Sequence, residues 1–219
     1  MLGHLDSAVH SAAAYHQTVD LTSVLGPICT ALSVSFVWPQ VIRVYRLNTV
    51  EGLAPNGTLQ GLAASAIWTM YAAAQGVGPL VVSNVVIGIA MSMIAAAQIR
   101  HRTLRVSKLL AVCACIVVIG GGALVISTTL AGWIAIVMGV TSILPQAVYA
   151  ARASDLSGVS LPMYALVLLA TILWSVYALL IGDWLIVITN ILIAPCALFV
   201  ATKAWRFQYA SPPLAAEIT

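Results

Sequence analysis

Val37-Trp38-Pro39-Gln40 lies near the end of the first long apolar run of the chain, and Ile143-Leu144-Pro145-Gln146 lies near the end of another, 106 residues later. Proline inside a helix removes a backbone donor and kinks it, and the glutamine beside it sets an amide where apolar side chains are expected. One such pair would be an oddity. Two at matching positions point to a duplicated device. The match extends without a gap: at the same offset of 106, Arg46 pairs with Arg152, Gly52 with Gly158, Trp68 with Trp174, Tyr71 with Tyr177, Gly76 with Gly182 and Asn84 with Asn190.

The 219 residues are 62% hydrophobic and only 7% charged, against about 25% charged in soluble domains. So much apolar surface implies a polytopic membrane protein. Apolar runs fall at residues 24–45, 56–74, 79–98, 109–129, 132–151, 161–181 and 184–204, each close to the roughly 20 residues that a bilayer core requires. With seven spans, the nine basic residues Arg43, Arg46, Arg100, Arg102, Arg105, Lys108, Arg152, Lys203 and Arg206 all fall on one side. Basic residues mark the cytoplasmic face, so the expected topology is N-terminus outside and C-terminus inside, across the plasma membrane. Merging spans four and five would put Arg152, Lys203 and Arg206 on the wrong side.

Spans one to three thus repeat as five to seven. Three crossings are an odd number, so one extra crossing is needed before a second copy can run in the same direction. The expected fold class is an all-α integral membrane protein of seven transmembrane helices, built as two parallel three-helix repeats joined by an inverting linker helix (3-1-3). The segments are an extracytoplasmic tail (1–22), a first repeat (23–99), a basic loop and linker helix (100–130), a second repeat (131–206) and a cytoplasmic tail (207–219). Gly120, Gly121 and Gly122 in the linker suggest close packing on a neighbour.

Several function classes lose support at once. The few basic residues form no stripe with interleaved aromatics, so nucleic acid is not an expected partner. Cys29, Cys113, Cys115 and Cys196 sit in apolar runs and read as small buried hydrophobes, without the spacing of a metal site. His4, His10 and His16 belong to the tail and read as solvated. Residues 1–20 have neither a basic n-region nor a clean apolar h-region, so no signal peptide is expected. The spans hold no acid/base pair or nucleophile constellation, so no enzyme, cofactor or metal is expected.

A three-one-three arrangement with Pro-Gln in each repeat resembles the PQ-loop/MtN3 superfamily, and most closely the SWEET and SemiSWEET sugar transporters, over roughly residues 24–206. Its most specific part is a Trp on the second helix of each repeat followed sixteen residues later by an Asn on the third: Trp68 with Asn84, and Trp174 with Asn190. The resemblance implies that these four line a sugar site. It also implies that Pro39, Pro55, Pro145 and Pro162 match the family's four hinge prolines. One departure bears on substrate class. The Gln after each first-helix proline, Gln40 and Gln146, is more like the SemiSWEETs or the lysosomal cystinosin-type branch. The fold also resembles that of the KDEL receptor, whose peptide ligand needs cavity basic residues that this sequence does not supply.

Geometry leads to the same residues. Trp68 lies eight residues before Gly76 and Asn84 eight after it, and Trp174 and Asn190 flank Gly182 identically. At 1.5 Å per residue, all four side chains fall roughly 12 Å below their turns, at one depth. A carboxamide both donates and accepts, so it can match a hydroxyl in either sense. An indole offers a flat apolar face for the C–H face of a pyranose, with an N–H besides. A single Trp in a span is otherwise a packing or interfacial residue, and a single Asn a helix–helix glue; duplication at equal depth favours a site. Ser65 and Thr171, one turn inward, either add hydroxyl contacts or bond their own backbone. Tyr71 and Tyr177, one turn outward, are candidate outer-gate residues or interfacial tyrosines. Trp133, Trp184 and Trp205 read as interfacial anchors, and Trp38 as packing or gate. Pro39 and Pro145 leave the carbonyls of Ser35 and Thr141 unbonded, giving either inner-side hinges or static kinks; Gln40 and Gln146 could bond those carbonyls or reach across an interface.

No acidic residue sits mid-membrane, so no titratable group is at hand for proton coupling. The expected function is SWEET-like facilitated diffusion of a small neutral solute, a mono- or disaccharide, by alternating access. The alternatives are a PQ-loop carrier of amino acids or another small solute, and a non-transporting receptor or scaffold. One chain holds both halves of the pathway, so a homo-oligomer is allowed but not required.

Overall fold

The computed structural model describes residues 21–210, apart from 52, 157 and 158 and the side chains at 145 and 210. Of the expected tails, all but the last two residues of 1–22, and everything beyond residue 210, lie outside the described residues. The described residues form seven helices joined by short links: α1 (Leu2–Leu47, described from residue 21 on), α2 (Pro55–Gln75), α3 (Gly78–Arg100), α4 (Val106–Ile126), α5 (Thr128–Arg152), α6 (Leu161–Ile181) and α7 (Trp184–Trp205). Six of these are long and apolar enough to cross a membrane among the described residues. The exception is α2, expected as a span at 56–74. It has the length, but Asn56, Thr58, Gln60, Ser65, Thr69 and Gln75 dilute its apolar character. It can carry them because it packs against α3, α4 and α5 at once, where polar side chains find protein partners.

The boundary between the fourth and fifth apolar runs is a real break. Ser127 leaves the helical region at φ −169°, and its hydroxyl accepts from the backbone N–H of Leu130, capping α5. Within α4, Ile116–Gly121 forms a π-helical segment. The α2–α3 and α6–α7 turns are copies of each other. Gly76 and Gly182 adopt φ of +72° and +74°, the left-handed region that suits glycine. Each closes its helix with the paired bonds of a Schellman motif: Val77 N–H to Ala72 O at 2.9 Å and Gly76 N–H to Ala73 O at 3.3 Å, against Asp183 N–H to Ala178 O at 2.9 Å and Gly182 N–H to Leu179 O at 3.3 Å.

Packing repeats as well. α3 lies against α1 and α2, and α7 against α5 and α6, while α1 crosses to α6 and α2 to α5. The main core gathers Trp68, Tyr71, Trp174 and Tyr177 with Cys29, Ala72, Ala135 and Ala178. Cys113 and Cys115, expected as buried hydrophobes, are instead exposed on α4; α4 packs mainly against α2 and α5, so much of its surface is free for lipid. Trp133, Trp184 and Trp205 are exposed, as anchors would be, whereas Trp38 packs beside Val37, Val41 and Ile94.

Two glycines set how closely the crossing helices approach. A Cβ at Gly26 would lie 2.5 Å from Pro79 Cγ and 3.3 Å from Tyr177 Cε2. Its counterpart Gly132 would meet Leu185 Cδ1 at 2.5 Å and Tyr71 Cε2 at 2.8 Å. Overpacking of this kind costs about 1–3 kcal/mol. Gly132→Ala should therefore lower the thermal unfolding midpoint in detergent, while Gly57→Ala, with nothing within 4 Å of its Cβ, should lower it far less. Equal midpoints would show that α5 has slack at this contact.

Candidate functional site

The two Trp/Asn pairs meet. Trp68, Asn84, Trp174 and Asn190 line one cavity of about 220 Å³. The helix pairs α2–α3 and α6–α7 deliver one pair each, because both residues of a pair stand eight positions from a shared glycine turn. The remaining lining is Ser33 from α1, Leu80, Ser83 and Ile87 from α3, and Ile186, Thr189 and Ile193 from α7. None of these side chains is ionisable.

Each carboxamide is held by its own helix. Asn84 Nδ2 donates to Leu80 O at 2.9 Å, and Asn190 Nδ2 to Ile186 O at 2.8 Å. That bond uses one amide hydrogen and fixes the rotamer, leaving each Oδ1 and one N–H for a solute. The indoles are held by aromatic neighbours: Trp68–Tyr71 and Trp174–Tyr177 both make edge-to-face contacts at 5.6 Å between centroids.

The symmetry breaks at the indole N–H groups. Trp174 Nε1 donates to Ser33 Oγ at 2.9 Å. The counterpart of Ser33 is Gly139, which offers no hydroxyl, and a Cβ built there would lie 3.5 Å from Trp68 Nε1. Among the described residues Trp68 Nε1 has no hydrogen-bond partner. One donor of the cavity is thus taken and the other is free.

Ser65 and Thr171 do not reach the cavity. Both are buried and donate backward along their own helices, Ser65 Oγ to Leu62 O at 2.9 Å and Thr171 Oγ1 to Leu168 O at 2.8 Å. Ser65 also faces Gly88 of α3, whose Cβ would come within 3.2 Å of its hydroxyl. Of the two readings open for these residues, the backbone bond is the one formed.

Tyr71 and Tyr177 are 1% and 5% exposed, which removes the interfacial reading. They border a second depression of about 390 Å³ at the Gly76 and Gly182 turns, together with Gln75, Thr129 and Asp183. The Trp and Tyr rings therefore form the partition between that depression and the central cavity. Tyr71 Oη donates to Asp183 Oδ2 at 2.8 Å, and the other carboxylate oxygen of Asp183 accepts from Leu185 N–H and Ile186 N–H, capping α7. Asp183 has Val77 as its counterpart, so this bond too exists once.

At the other end, α1 runs through Pro27 and Pro39 as one helix. Pro55 and Pro162 open α2 and α6, positions where the missing N–H costs nothing. Pro145 falls within α5, and its side chain is outside the described residues. Gln146 Oε1 accepts from Tyr164 Oη of α6 at 3.4 Å, a bond across a helix interface; the amide of Gln40 makes none among the described residues. Sequence reasoning missed Ser33, Ser83, Thr189 and the apolar lining. Leu80/Ile186, Ser83/Thr189 and Ile87/Ile193 all obey the 106 offset and share a face with their Asn, so extending the repeat one turn either way would have found them. Ser33 is matched by a glycine, Gly139, so the repeat could not have shown it.

Comparison with known proteins bears on the family and the fold. A search of curated proteins by sequence returns no match. Among solved structures, the chain is similar to a eukaryotic SWEET transporter, with a TM-score of 0.70 at 12% sequence identity, covering 87% of this chain and 100% of the other; at that identity the likeness is one of fold. The sequence profile described as PQ loop repeat matches twice, at residues 21–81 and 128–192, so more than half of the chain is covered and each match takes in one Pro-Gln stretch. The chain belongs to the PQ-loop repeat family.

Proposed function

We propose that the protein is a membrane transporter that moves a small neutral sugar down its gradient, by alternating access around the Trp/Asn cavity. The observation that carries this reading is the lining itself: two indoles, two carboxamides and a set of hydroxyls and isoleucines, with no ionisable side chain. Hydroxyl groups match carboxamides in either sense, and a pyranose face suits an indole. A charged solute would enter without a counter-ion, which low dielectric penalises. Membership of the PQ-loop family and the fold shared with a protein named as a SWEET transporter support transport as the activity.

In this reading α1–α3 and α5–α7 are the two parallel repeats and α4 the inverting linker. The basic helix ends face the cytoplasm, the N-terminus lies outside, and the membrane is the plasma membrane. The partition of Trp68, Tyr71, Trp174 and Tyr177, latched by Tyr71–Asp183, is the outer gate. Pro39 and Pro145 are the inner hinges, with Pro55 and Pro162 at the heads of α2 and α6 freeing those ends to follow. An amino-acid carrier is the second reading, favoured by Gln40 and Gln146 beside both prolines; the lack of a cation to meet a carboxylate weighs against it.

Proteoliposomes loaded with radiolabelled hexoses, disaccharides and amino acids decide between the two. Hexose uptake is expected, with no accumulation under a pH gradient. Trp68→Ala and Asn190→Ala should each weaken it about ten-fold, the equivalent of ~1.4 kcal/mol. Uptake of an amino acid without any sugar would overturn the substrate class.

The free indole N–H of Trp68 makes a finer test. In Gly139→Ser the new hydroxyl can accept from Trp68 Nε1 as Ser33 accepts from Trp174, and apparent affinity for the sugar should fall by about five- to ten-fold, the worth of one hydrogen bond. Gly139→Ala adds the Cβ without the acceptor and should stay near native. Equal losses in the two variants would mean that space, not the N–H, is what Gly139 provides.

The gate is tested by distance. In Tyr71→Phe the ring packs as before but the bond to Asp183 is gone. Spin labels at Gln75 and Ile181, which both border the outer depression, should shift toward a longer separation. An unchanged distance distribution would leave the outer closure to ring packing alone.

A further inference from the structure

Among the described residues, an apolar recess apart from the central cavity carries a charged end. It is a groove of about 550 Å³ between α2, α4 and α5, walled by Leu59, Ala63 and Ile67 on one side and Val112, Ile116 and Ile119 on another. Its polar residues sit together at one end: Asn56, Gln60 and Lys108. From Asn56 to Ile67, and equally from Lys108 to Ile119, is eleven residues, or ~16 Å of helix. That is about half of a bilayer core of roughly 30 Å. The far end is shut where Gly120 brings α4 onto α2, a Cβ there lying 3.0 Å from Met70 Sδ and 3.4 Å from Ile67 Cγ1. The groove therefore spans one leaflet and stops near mid-membrane.

The charged end continues into a second recess of about 360 Å³, which shares Asn56 and Lys108 with the groove and adds Pro55, Thr103 and Arg105. Two helices begin there, α2 at Pro55 and α4 at Val106, and neither N-terminus has a side-chain cap. Lys108 Nζ donates to the neutral Asn56 Oδ1 at 2.6 Å, and no carboxylate lines either recess. Two cations and two uncapped helix N-termini thus face one space, and each favours an anion.

The geometry points to an anionic glycerophospholipid of the leaflet on the basic face, seated with its phosphate between Arg105, Lys108 and the starts of α2 and α4, and one acyl chain along the α2–α4–α5 groove. Charge complementarity fixes the headgroup class, and a groove one leaflet deep fixes the occupant as a lipid of that leaflet. Such a lipid fills the wedge that α4 leaves open between Gly120 and Lys108, and so sets how α4 leans on both α2 and α5. This inference is independent of the transported solute.

The test is native mass spectrometry of the full-length protein released from nanodiscs of phosphatidylcholine and phosphatidylglycerol with matched acyl chains. Preferential retention of phosphatidylglycerol is expected. Arg105→Gln and Lys108→Gln should each cut that preference about five-fold, the worth of one cation beside an anionic lipid, whereas Arg46→Gln and Arg152→Gln, on other helix ends, should leave it intact. Cys115→Trp, at an exposed position lining the groove, should reduce retention of both lipids while the unfolding midpoint without lipid stays near native. Equal retention of the two lipids, equal loss in all four charge variants, or a lipid-free dimer that Cys115→Trp dissociates would each overturn the assignment.

Discussion

Everything at the centre of this protein depends on one close approach made twice. Where α1 passes Tyr177 and α5 passes Tyr71, the passing residue is glycine, Gly26 in one case and Gly132 in the other, and a single methyl group would collide. Lipid tails are as apolar as leucine, so there is no hydrophobic gain in bringing membrane helices together; van der Waals contact at small residues supplies the association instead. These contacts are between elements far apart in sequence, α1 with α6 and α5 with α2. They hold the tyrosines edge-on to Trp68 and Trp174 and so position the indoles at the cavity.

The fold was legible in the sequence because the bilayer restricts the choices to helices of a given length, and because duplication supplied an internal alignment. The offset of 106 alone paired the turns at Gly76 and Gly182, whose backbone angles agree within 2°. α2 was read as a span like the others and proves less apolar, since hydropathy measures what lipid would see and most of α2 sees protein. The exposure of Cys113 and Cys115 was not legible for the complementary reason: an apolar residue on a membrane helix is equally at home facing lipid or core, and only packing decides.

At the cavity, depth was legible and rotation was not. Counting residues from a glycine turn fixes how far down a side chain lies, and this brought Trp68, Asn84, Trp174 and Asn190 to one level. It does not fix which way a neighbour one turn away points. Ser65 and Thr171 stand one turn from each Trp and still turn away from the cavity, each satisfied by a carbonyl of its own helix. Ser83 and Thr189, one residue before each Asn, face it. A side chain that can hydrogen-bond its own backbone has no need of a cavity to be stable in lipid, so residue type alone could not separate the two pairs.

The departures from the repeat carry information that the repeat cannot. Glycine turns, edge-to-face rings and carboxamides bonded to their own helices occur in both halves, and together they set the frame of the cavity. Ser33 against Gly139, and Asp183 against Val77, occur once each. Neither is required by folding, since the half that lacks the bond adopts the same ring geometry, with centroids at 5.6 Å in both. A solute such as a hexose has no two-fold axis, so a strictly symmetric cavity would bind it in two equivalent orientations and match its groups in neither especially well. Removing one indole N–H from use and leaving the other free gives the cavity a direction. In the proposed reading, a latch made by one tyrosine rather than two likewise leaves a single hydrogen bond to break on opening, a cost of about 1.5–3 kcal/mol for a bond to a carboxylate rather than twice that. Duplication built the frame, and the asymmetry laid over it is where selectivity and gating can be tuned without disturbing the packing that holds the helices together.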